Sequence, residues 1–373
     1  MGVKILHLHQ QEGVEGGIGE AVDLLDRGGL VVFPTETVYG LAARADRPAA
    51  VQRLYQVKER SPDKPFTVHI AKRSAAWRYL ESPGPVARRF IKKGWPGPLT
   101  LLLTADPSKT AVGRELDDAA VGVLYHQRVI GLRCPDHAVA TELLQRVSGP
   151  VVAASANRAG RRPPTTAQAA IDDLDGQADL ALDAGTTRYS RPSTIVRVDG
   201  DHYEVVREGV FDERMVKGMS GLNILFVCTG NTCRSPMACG IAEQLIAGQL
   251  GCAVDELDDR RICVRSAGMS AFAGAPASIH AVEILAQRGM DISSHSASAL
   301  TVELINQADH IFTMTAAHEA GVISMVPSAK ERTRTLSTDG DIADPIGGDR
   351  QLYGRTAKTI ERTIKARLRE VEL

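Results

Sequence analysis

Long apolar runs are missing from this sequence: none reaches the roughly 18 residues of a membrane-crossing helix. Its first residues, MGVKILHLHQQEG, lack the apolar centre and small-residue cleavage site of a secretory signal. These absences lead to the expectation of a cytoplasmic protein with no membrane partner. Cysteine is scarce. Cys134, Cys228, Cys233, Cys239, Cys252 and Cys263 are the six among 373 residues, five of them in the second half, which excludes the disulfide framework of a small secreted protein. An excess of either charge is missing too. The net charge is -1, so the chain as a whole presents no basic surface to nucleic acid. Internal repeats and low-complexity tracts are absent.

At 373 residues the chain is longer than one core usually organises, and its 43% hydrophobic and 24% charged residues are those of a globular protein. Strand-like apolar runs alternate with helical patterns throughout, which predicts an α/β fold in each of two domains. GLVVF (29–33) and PVVAA (150–154) read as buried strands of the first; NILFV (223–227) and HIFTM (310–314) read as strands of the second. The mixed polarity and small residues of FDERMVKGMSGL (211–222) place a linker at 213–221, between domains of 1–212 and 222–373.

VCTGNTCRSP (227–236) holds two cysteines around a Gly-Asn turn. The pair fits a metal half-site, a disulfide, or a nucleophile in a phosphate-binding loop. No second Cys or His pair at ligand spacing accompanies it, so no metal ligands are assigned. Beyond it, Met237, Ile241 and Leu245 recur at four-residue spacing, with Ser235 as N-cap and Pro236 as first helical residue. The loop is thus expected at a helix N-terminus, where unpaired N–H groups and the helix dipole attract an oxyanion. Gly230 lets the backbone turn inward, and Arg234 offers a planar fork to two phosphate oxygens. The same field favours negative charge on the Cys228 sulfur, its nucleophilic form. A leaving group needs a proton, for which Asp344, followed by Pro345, is the candidate acid.

Between a strand and a helix, and with a late Asp-Pro, the C-x5-R-S-P pattern of 228–236 resembles the low-molecular-weight protein tyrosine phosphatase family. The resemblance covers about residues 222–373 and includes VRSAGM (264–269), HSASAL (295–300), ADHIFTMT (308–315) and DPIGG (344–348). It implies a doubly wound parallel sheet, no cofactor, and a phosphorylated protein as partner. Cys228 would be the nucleophile, Arg234 the transition-state clamp, and Asp344 the general acid and then base. Thr229, Gly230, Asn231, Thr232, Cys233 and Ser235 would form the phosphate loop, with Asn231 and Ser235 holding it. Cys233 has two readings, core packing or a disulfide with Cys228 that guards it from overoxidation. Tyrosine-directed members carry a bulky aliphatic residue where this chain has Thr232. That threonine and the D-P-x-G-G pattern are similar to the protein-arginine phosphatase branch. A small hydroxyl side chain leaves room for a planar guanidinium, so phosphoarginine is the expected substrate; a tyrosine phosphatase or an arsenate reductase is the alternative.

In the first half, FPTETVYGL (33–41) brings hydroxyls, Thr35 among them, to a strand end. KERSPDK (58–64) gathers Lys58, Arg60 and Lys64 before the strand FTVHI (66–70). Such a charge run is commonly a solvated face, yet at a strand's mouth it suits phosphates or carboxylates. His69 taken alone reads as structural. Arg133 in GLRCPDH, Ser155 and Asn157 after PVVAA, Ser193 in STIV, and Arg207 follow in turn. In this order they resemble the YrdC-type threonylcarbamoyl-AMP synthase family over about residues 12–212, including its K-x-R and S-x-N signatures.

That resemblance implies a twisted α/β sheet with a concave basic site. Lys58, Arg60, Ser155 and Asn157 would line the ATP and intermediate site, with Lys64 and Arg207 near the phosphates. Thr35, His69, Arg133 and Ser193 would hold threonine, the arginine on its carboxylate. L-Threonine, bicarbonate and ATP with Mg²⁺ are the implied substrates, the product serving the t6A modification of tRNA, with tRNA or other proteins of that pathway as partners. Two departures stand out. Pro163 occupies a position in AGRRPPTT (159–166) where the family usually has serine, and the phosphatase-like domain stands where longer members carry a further domain. The alternative for this half is an RNA-binding module without catalysis.

Overall fold

Among the described residues, short runs of β-branched and aliphatic side chains form eleven strands in the first of two units, residues 1–220. They are β1 Lys4–His7, β2 Val31–Phe33, β3 Gly40–Arg44, β4 Thr67–His69, β5 Leu99–Thr104, β6 Tyr125–His126, β7 Val129–Arg133, β8 Val151–Ser155, β9 Leu180–Asp183, β10 Thr194–Asp199 and β11 His202–Arg207. This computed structural model describes residues 3–8, 11–61 and 64–373. The strands make one mixed sheet in the order β1-β9-β2-β3-β8-β4-β7-β5-β10-β11, with β6 added beside β7. Successive side chains point to opposite faces. Val32, Leu41 and Val152 enter one apolar core, and Val31, Ala42 and Val151 enter the other. Both faces are covered, so the central strands read as unbroken apolar runs. Register then places His69 opposite Arg133, and Arg133 opposite Thr100, on neighbouring strands.

The second unit, residues 221–373, holds β12 Leu222–Cys228, β13 Ile262–Gly268, β14 His310–Thr313 and β15 Thr333–Thr335, all parallel, in the order β13-β12-β14-β15. Ile224, Phe226 and Cys228 face Met237 and Ile241 of the helix Arg234–Leu250 and Tyr353 and Ile360 of the helix Arg350–Arg367. Leu225 and Val227 face Ile305 and Val322 on the other side. Helices cover both faces, which makes the unit doubly wound as expected. The strand order reverses at β12, and a ligand crevice belongs outside the carboxyl end of a sheet at such a switch. Cys228 is the last residue of that strand.

Two local expectations change. The segment read as a linker is helical over Glu213–Ser220, and it belongs to the first unit because Val216 is buried in that core with Phe211 and Met219 packed against it. The helix after the phosphate loop starts at Arg234 rather than Pro236, with Cys233 as an N-cap whose side chain makes no capping bond. Ser235 lies inside the first turn and spends its hydroxyl elsewhere. Pro236 is still within the first turn, where its missing N–H forfeits no helical bond. Gly251, at φ 64°, closes the far end of that helix in the left-handed conformation glycine permits.

Candidate active sites

The loop after β12 is held by a network centred on Asn231. This residue is fully buried, and its φ of 54° lies in the left-handed region that Asn tolerates better than most residues. Its Nδ2 donates to Ser235 Oγ and Ser266 Oγ, each at 2.9 Å, and its Oδ1 accepts the Ser298 N–H at 2.8 Å. Its carbonyl accepts from His295 Nε2 at 2.7 Å. Gly268 closes in from β13: a Cβ there would stand 2.6 Å from the Thr229 carbonyl oxygen and 2.9 Å from the Asn231 nitrogen. Only glycine lets the loop approach so closely.

Cys228 Sγ, in a residue 2% exposed, receives the Asn231 N–H at 3.2 Å and lies 2.9 Å from Ser235 Oγ. Because Ser235 Oγ already accepts from Asn231, its proton is free to point at the sulfur. Two donors aimed at one sulfur suit an anionic nucleophile. Arg234 is 4% exposed; it donates from Nη1 to the Ile342 carbonyl at 3.1 Å, from Nη2 to Thr229 Oγ1 at 3.3 Å, and pairs with Asp344. Its Nε is buried with no partner among the described residues. An unpaired buried donor costs about 1–3 kcal/mol, more when charged, and an anion seated in the loop would satisfy it. Asp344, partly exposed, accepts the Ile346 N–H on Oδ1 at 3.2 Å.

Thr232 is half-buried, with Oγ1 3.6 Å from Cys233 Sγ, which lies 3.2 Å from Tyr353 Oη. Cys228 and Cys233 are both free thiols. The structure thus brings together every expected residue of the loop, and adds Ser266, His295, Ser298 and His318. The first three sit in the VRSAGM and HSASAL stretches, whose hydroxyls and imidazole were the available signal. His318 Nε2 lies 2.9 Å from Thr229 Oγ1 and had no sequence signal, since a lone histidine on a helix is common.

In the first unit, Thr35, Arg60, His69, Arg133, Ser155, Ser193 and Arg207 line one cleft, with Pro163 on its wall. Lys58, Asn157 and Lys64 are placed outside that lining. Lys58 was expected against ATP, but its ammonium is buried beneath the loop after β8, donating to the carbonyls of Ser155 and Asn157. These carbonyls lie where the β8 ladder ends; that of Ser155 also accepts the Asn157 N–H at 2.9 Å. Burial, with Arg60 adding to it, pushes the Lys58 pKa down to about 8. Asn157 Nδ2 donates to the carbonyls of Arg158 and Arg161, each at 2.8 Å, while its buried Oδ1 has no partner among the described residues. Lys64 is exposed.

Arg133 was expected to meet the threonine carboxylate. Its Nη2 already donates to Glu36 Oε1 at 3.0 Å and to Thr37 Oγ1 at 2.7 Å. Glu36, 1% exposed, is a site residue the sequence reading passed over; an acid among the hydroxyls of FPTETVYGL was the signal. His69 Nδ1 lies 3.1 Å from the Thr67 carbonyl. A carbonyl only accepts, so Nδ1 carries the proton and Nε2 is left as an acceptor. Burial, then Arg133, pushes the His69 pKa down to about 3, so the ring is neutral at any physiological pH. Arg60 is steadied over the Phe66 ring and donates to the Lys64 and Pro65 carbonyls, each at 2.8 Å. Arg207 donates to the Ser193 carbonyl at 2.6 Å. Among the described residues no three His, Cys, Asp or Glu side chains gather as metal ligands, and no helix is long and apolar enough to cross a membrane.

A cation-lined cleft on a mixed sheet and a cysteine-arginine loop at the switch point of a parallel sheet define two enzyme-like domains. Residues 23–209 match the family model described as telomere recombination, that of Sua5, YciO and YrdC, and residues 223–372 match that of low molecular weight phosphotyrosine protein phosphatase. The chain belongs to both families, and both are families of enzymes. Its first part is 35% identical over 205 residues to the threonylcarbamoyl-AMP synthase of Bacillus subtilis, covering 55% of this chain and 56% of that one. Its second part is 40% identical over 153 residues to the protein-arginine-phosphatase of Geobacillus stearothermophilus, covering 39% of this chain and 93% of that one. A crystal structure of Pyrococcus abyssi Sua5 complexed with L-threonine shares the fold, at 22% identity and a TM-score of 0.51, over 71% of this chain and 92% of that one. The chain spans about half the length of the curated synthases of B. subtilis, P. abyssi and Schizosaccharomyces pombe that it matches.

Proposed function

We propose that the chain is a bifunctional enzyme. Its first domain, residues 1–220, makes L-threonylcarbamoyladenylate from L-threonine, bicarbonate and ATP for the t6A modification of tRNA. Its second, residues 222–373, removes phosphate from proteins, phosphoarginine in preference to phosphotyrosine. The observation that carries the phosphatase half is the buried Arg234 fork in the same loop as a Cys228 sulfur that receives the Asn231 N–H and lies 2.9 Å from Ser235 Oγ. A phosphoryl group seated there meets the Arg234 fork on its oxygens and Cys228 on its phosphorus. The sulfur forms a bond to phosphorus as the P–N bond breaks, and Asp344 gives a proton to the departing guanidine nitrogen. Water then attacks the cysteinyl phosphate, Asp344 takes a proton back, and inorganic phosphate leaves. Asp344 must first let go of Arg234, and the phosphoryl oxygens take its place.

For the first domain, the support is the convergence of Arg60, Arg133 and Arg207 with neutral His69 in one cleft. The threonine amine attacks the bicarbonate carbon and water departs; a carbamate oxygen then attacks the α-phosphorus of ATP and pyrophosphate leaves. Arg60 and Arg207 offset the polyphosphate charge, His69 Nε2 accepts from a substrate donor, and positioning brings two anions together. ATP enters as its Mg²⁺ complex, the ion carried on the phosphates. Pyrophosphate release that requires both threonine and bicarbonate, and falls by about tenfold or more in Arg60→Ala, is the expected result. Release independent of threonine, or none with tRNA binding retained, returns the domain to the RNA-binding alternative.

Thr232 decides the phosphatase substrate. Thr232→Ile is expected to shift the ratio of kcat/KM for phosphoarginine over phosphotyrosine proteins by about tenfold or more toward phosphotyrosine. The isoleucine crowds the guanidinium and leaves its N–H groups without the hydroxyl. An unchanged ratio removes the steric argument, and a wild-type ratio that favours phosphotyrosine leaves a tyrosine phosphatase as the reading.

A further inference from the structure

His318 lies outside the phosphate loop, on the helix Ala316–Met325, yet its ring completes a chain of hydrogen bonds that ends on Arg234. Nε2 is 2.9 Å from Thr229 Oγ1, and Nδ1 is 2.9 Å from Thr315 Oγ1. Arg234 Nη2 donates to the same Thr229 Oγ1 at 3.3 Å. A guanidinium has donors only, so Thr229 accepts from Arg234; in the neutral tautomer that carries its proton on Nδ1, the Thr229 hydroxyl proton goes to the ring. Nε2 is then the acceptor, and Nδ1 carries the proton and donates to Thr315. The Thr315 oxygen also takes the His318 backbone N–H at 3.2 Å as the N-cap of that helix. All the bonds run in one direction as long as the imidazole is neutral.

We propose that His318 is a positioning residue for Arg234, acting through the Thr229 hydroxyl to keep the guanidinium in plane once Asp344 has released it. This rests on the phosphatase reading of the site. Besides Asp344, Arg234 has two neutral anchors for its terminal nitrogens, the Ile342 carbonyl on Nη1 and Thr229 on Nη2. When Asp344 turns to the leaving nitrogen, these anchors alone aim Nε at the phosphoryl oxygens. Without the ring, Thr229 is free to rotate and the fork loses one of its two fixed points. Protonation weakens the same anchor: Nε2 becomes a donor, the Thr229 hydroxyl proton loses its acceptor on the ring and the hydroxyl must turn, and a second cation stands near Arg234. The charged groups that face the ring are Arg234, Asp341 and Asp344. Burial, then Arg234, lowers the His318 pKa from 6.5 against the opposing pull of the two carboxylates. The ring is therefore neutral at pH 7, and the order is lost only in acid.

The test is steady-state kinetics of the full chain on a phosphoarginine protein and on para-nitrophenyl phosphate, across pH, for His318→Leu, Thr229→Val and the double variant. Each single change is expected to lower kcat/KM about tenfold and to flatten its acid limb. The double variant is expected to be no slower than the slower single, because both cuts break one chain. Multiplying effects, a wild-type kcat/KM in His318→Leu, or an unchanged acid limb in Thr229→Val overturns the proposal. If His318→Leu does not fold, Thr229→Val alone decides by the same two readouts. Cys228→Ser separates the two ideas: activity surviving in it sinks the phosphatase reading, whereas its loss together with multiplying effects sinks only the role of His318.

Discussion

Cys228→Ser is expected to lower phosphatase turnover on the order of 10⁴-fold while the domain stays folded and still binds inorganic phosphate. The serine oxygen replaces a buried sulfur of similar shape, so the neighbours of Cys228 in the core, Phe226 and Met237 among them, need not move. What changes is the nucleophile. An alcohol has to lose its proton during attack, and the groups around Cys228 Sγ, the Asn231 N–H and the Ser235 hydroxyl, are donors to it rather than bases. Arg234 and the loop amides are untouched, so phosphate affinity persists. Turnover and phosphate binding measured on one preparation check this, and activity that survives in the serine variant overturns the assignment of the nucleophile.

Arg133→Leu carries the largest expected cost in stability, about 3–5 kcal/mol in the first unit. Glu36 is buried with Oε2 already unpaired, and Arg133 is its ion-pair partner at 3.0 Å. Removing the guanidinium leaves a carboxylate in the interior without its counter-charge, and deprives the Thr37 hydroxyl of a donor. Glu36→Gln combined with Arg133→Leu is expected to recover part of the loss, because a neutral amide is less costly to bury than a charge. Trp77 and Trp95 are the two tryptophans of the chain and both lie in the first unit. Tryptophan fluorescence during urea unfolding of the full chain therefore reports that unit directly. A midpoint unchanged in Arg133→Leu rules out the buried pair as a stabilising element.

The sheets were legible because their central strands are covered on both faces: GLVVF, PVVAA and NILFV each fall within or across a strand whose alternate residues enter different cores. The phosphate loop was legible for a related reason, since a nucleophile, an arginine and a helix start are packed into nine consecutive residues. The start of its helix was misplaced by two residues because Ser235 has the side chain of an N-cap, while its hydroxyl is engaged by Asn231 and Cys228. Lys58 illustrates a different limit. Sequence order carries a lysine to the edge of a site, but whether its ammonium faces the cleft or turns under a strand end depends on carbonyls about a hundred residues away. Glu36 and His318 were missed for the same cause, as each acquires its meaning from a partner distant in the chain.

The contact between Arg234 and Asp344 bears on how this phosphatase domain is to be measured. The loop carries its own competitor: the carboxylate proposed to give and take the proton occupies the guanidinium proposed to hold the phosphoryl group. An affinity found for any oxyanion is therefore a difference between two partners of one arginine, and a ligand can gain strength either by gripping Arg234 harder or by giving the displaced carboxyl somewhere better to go.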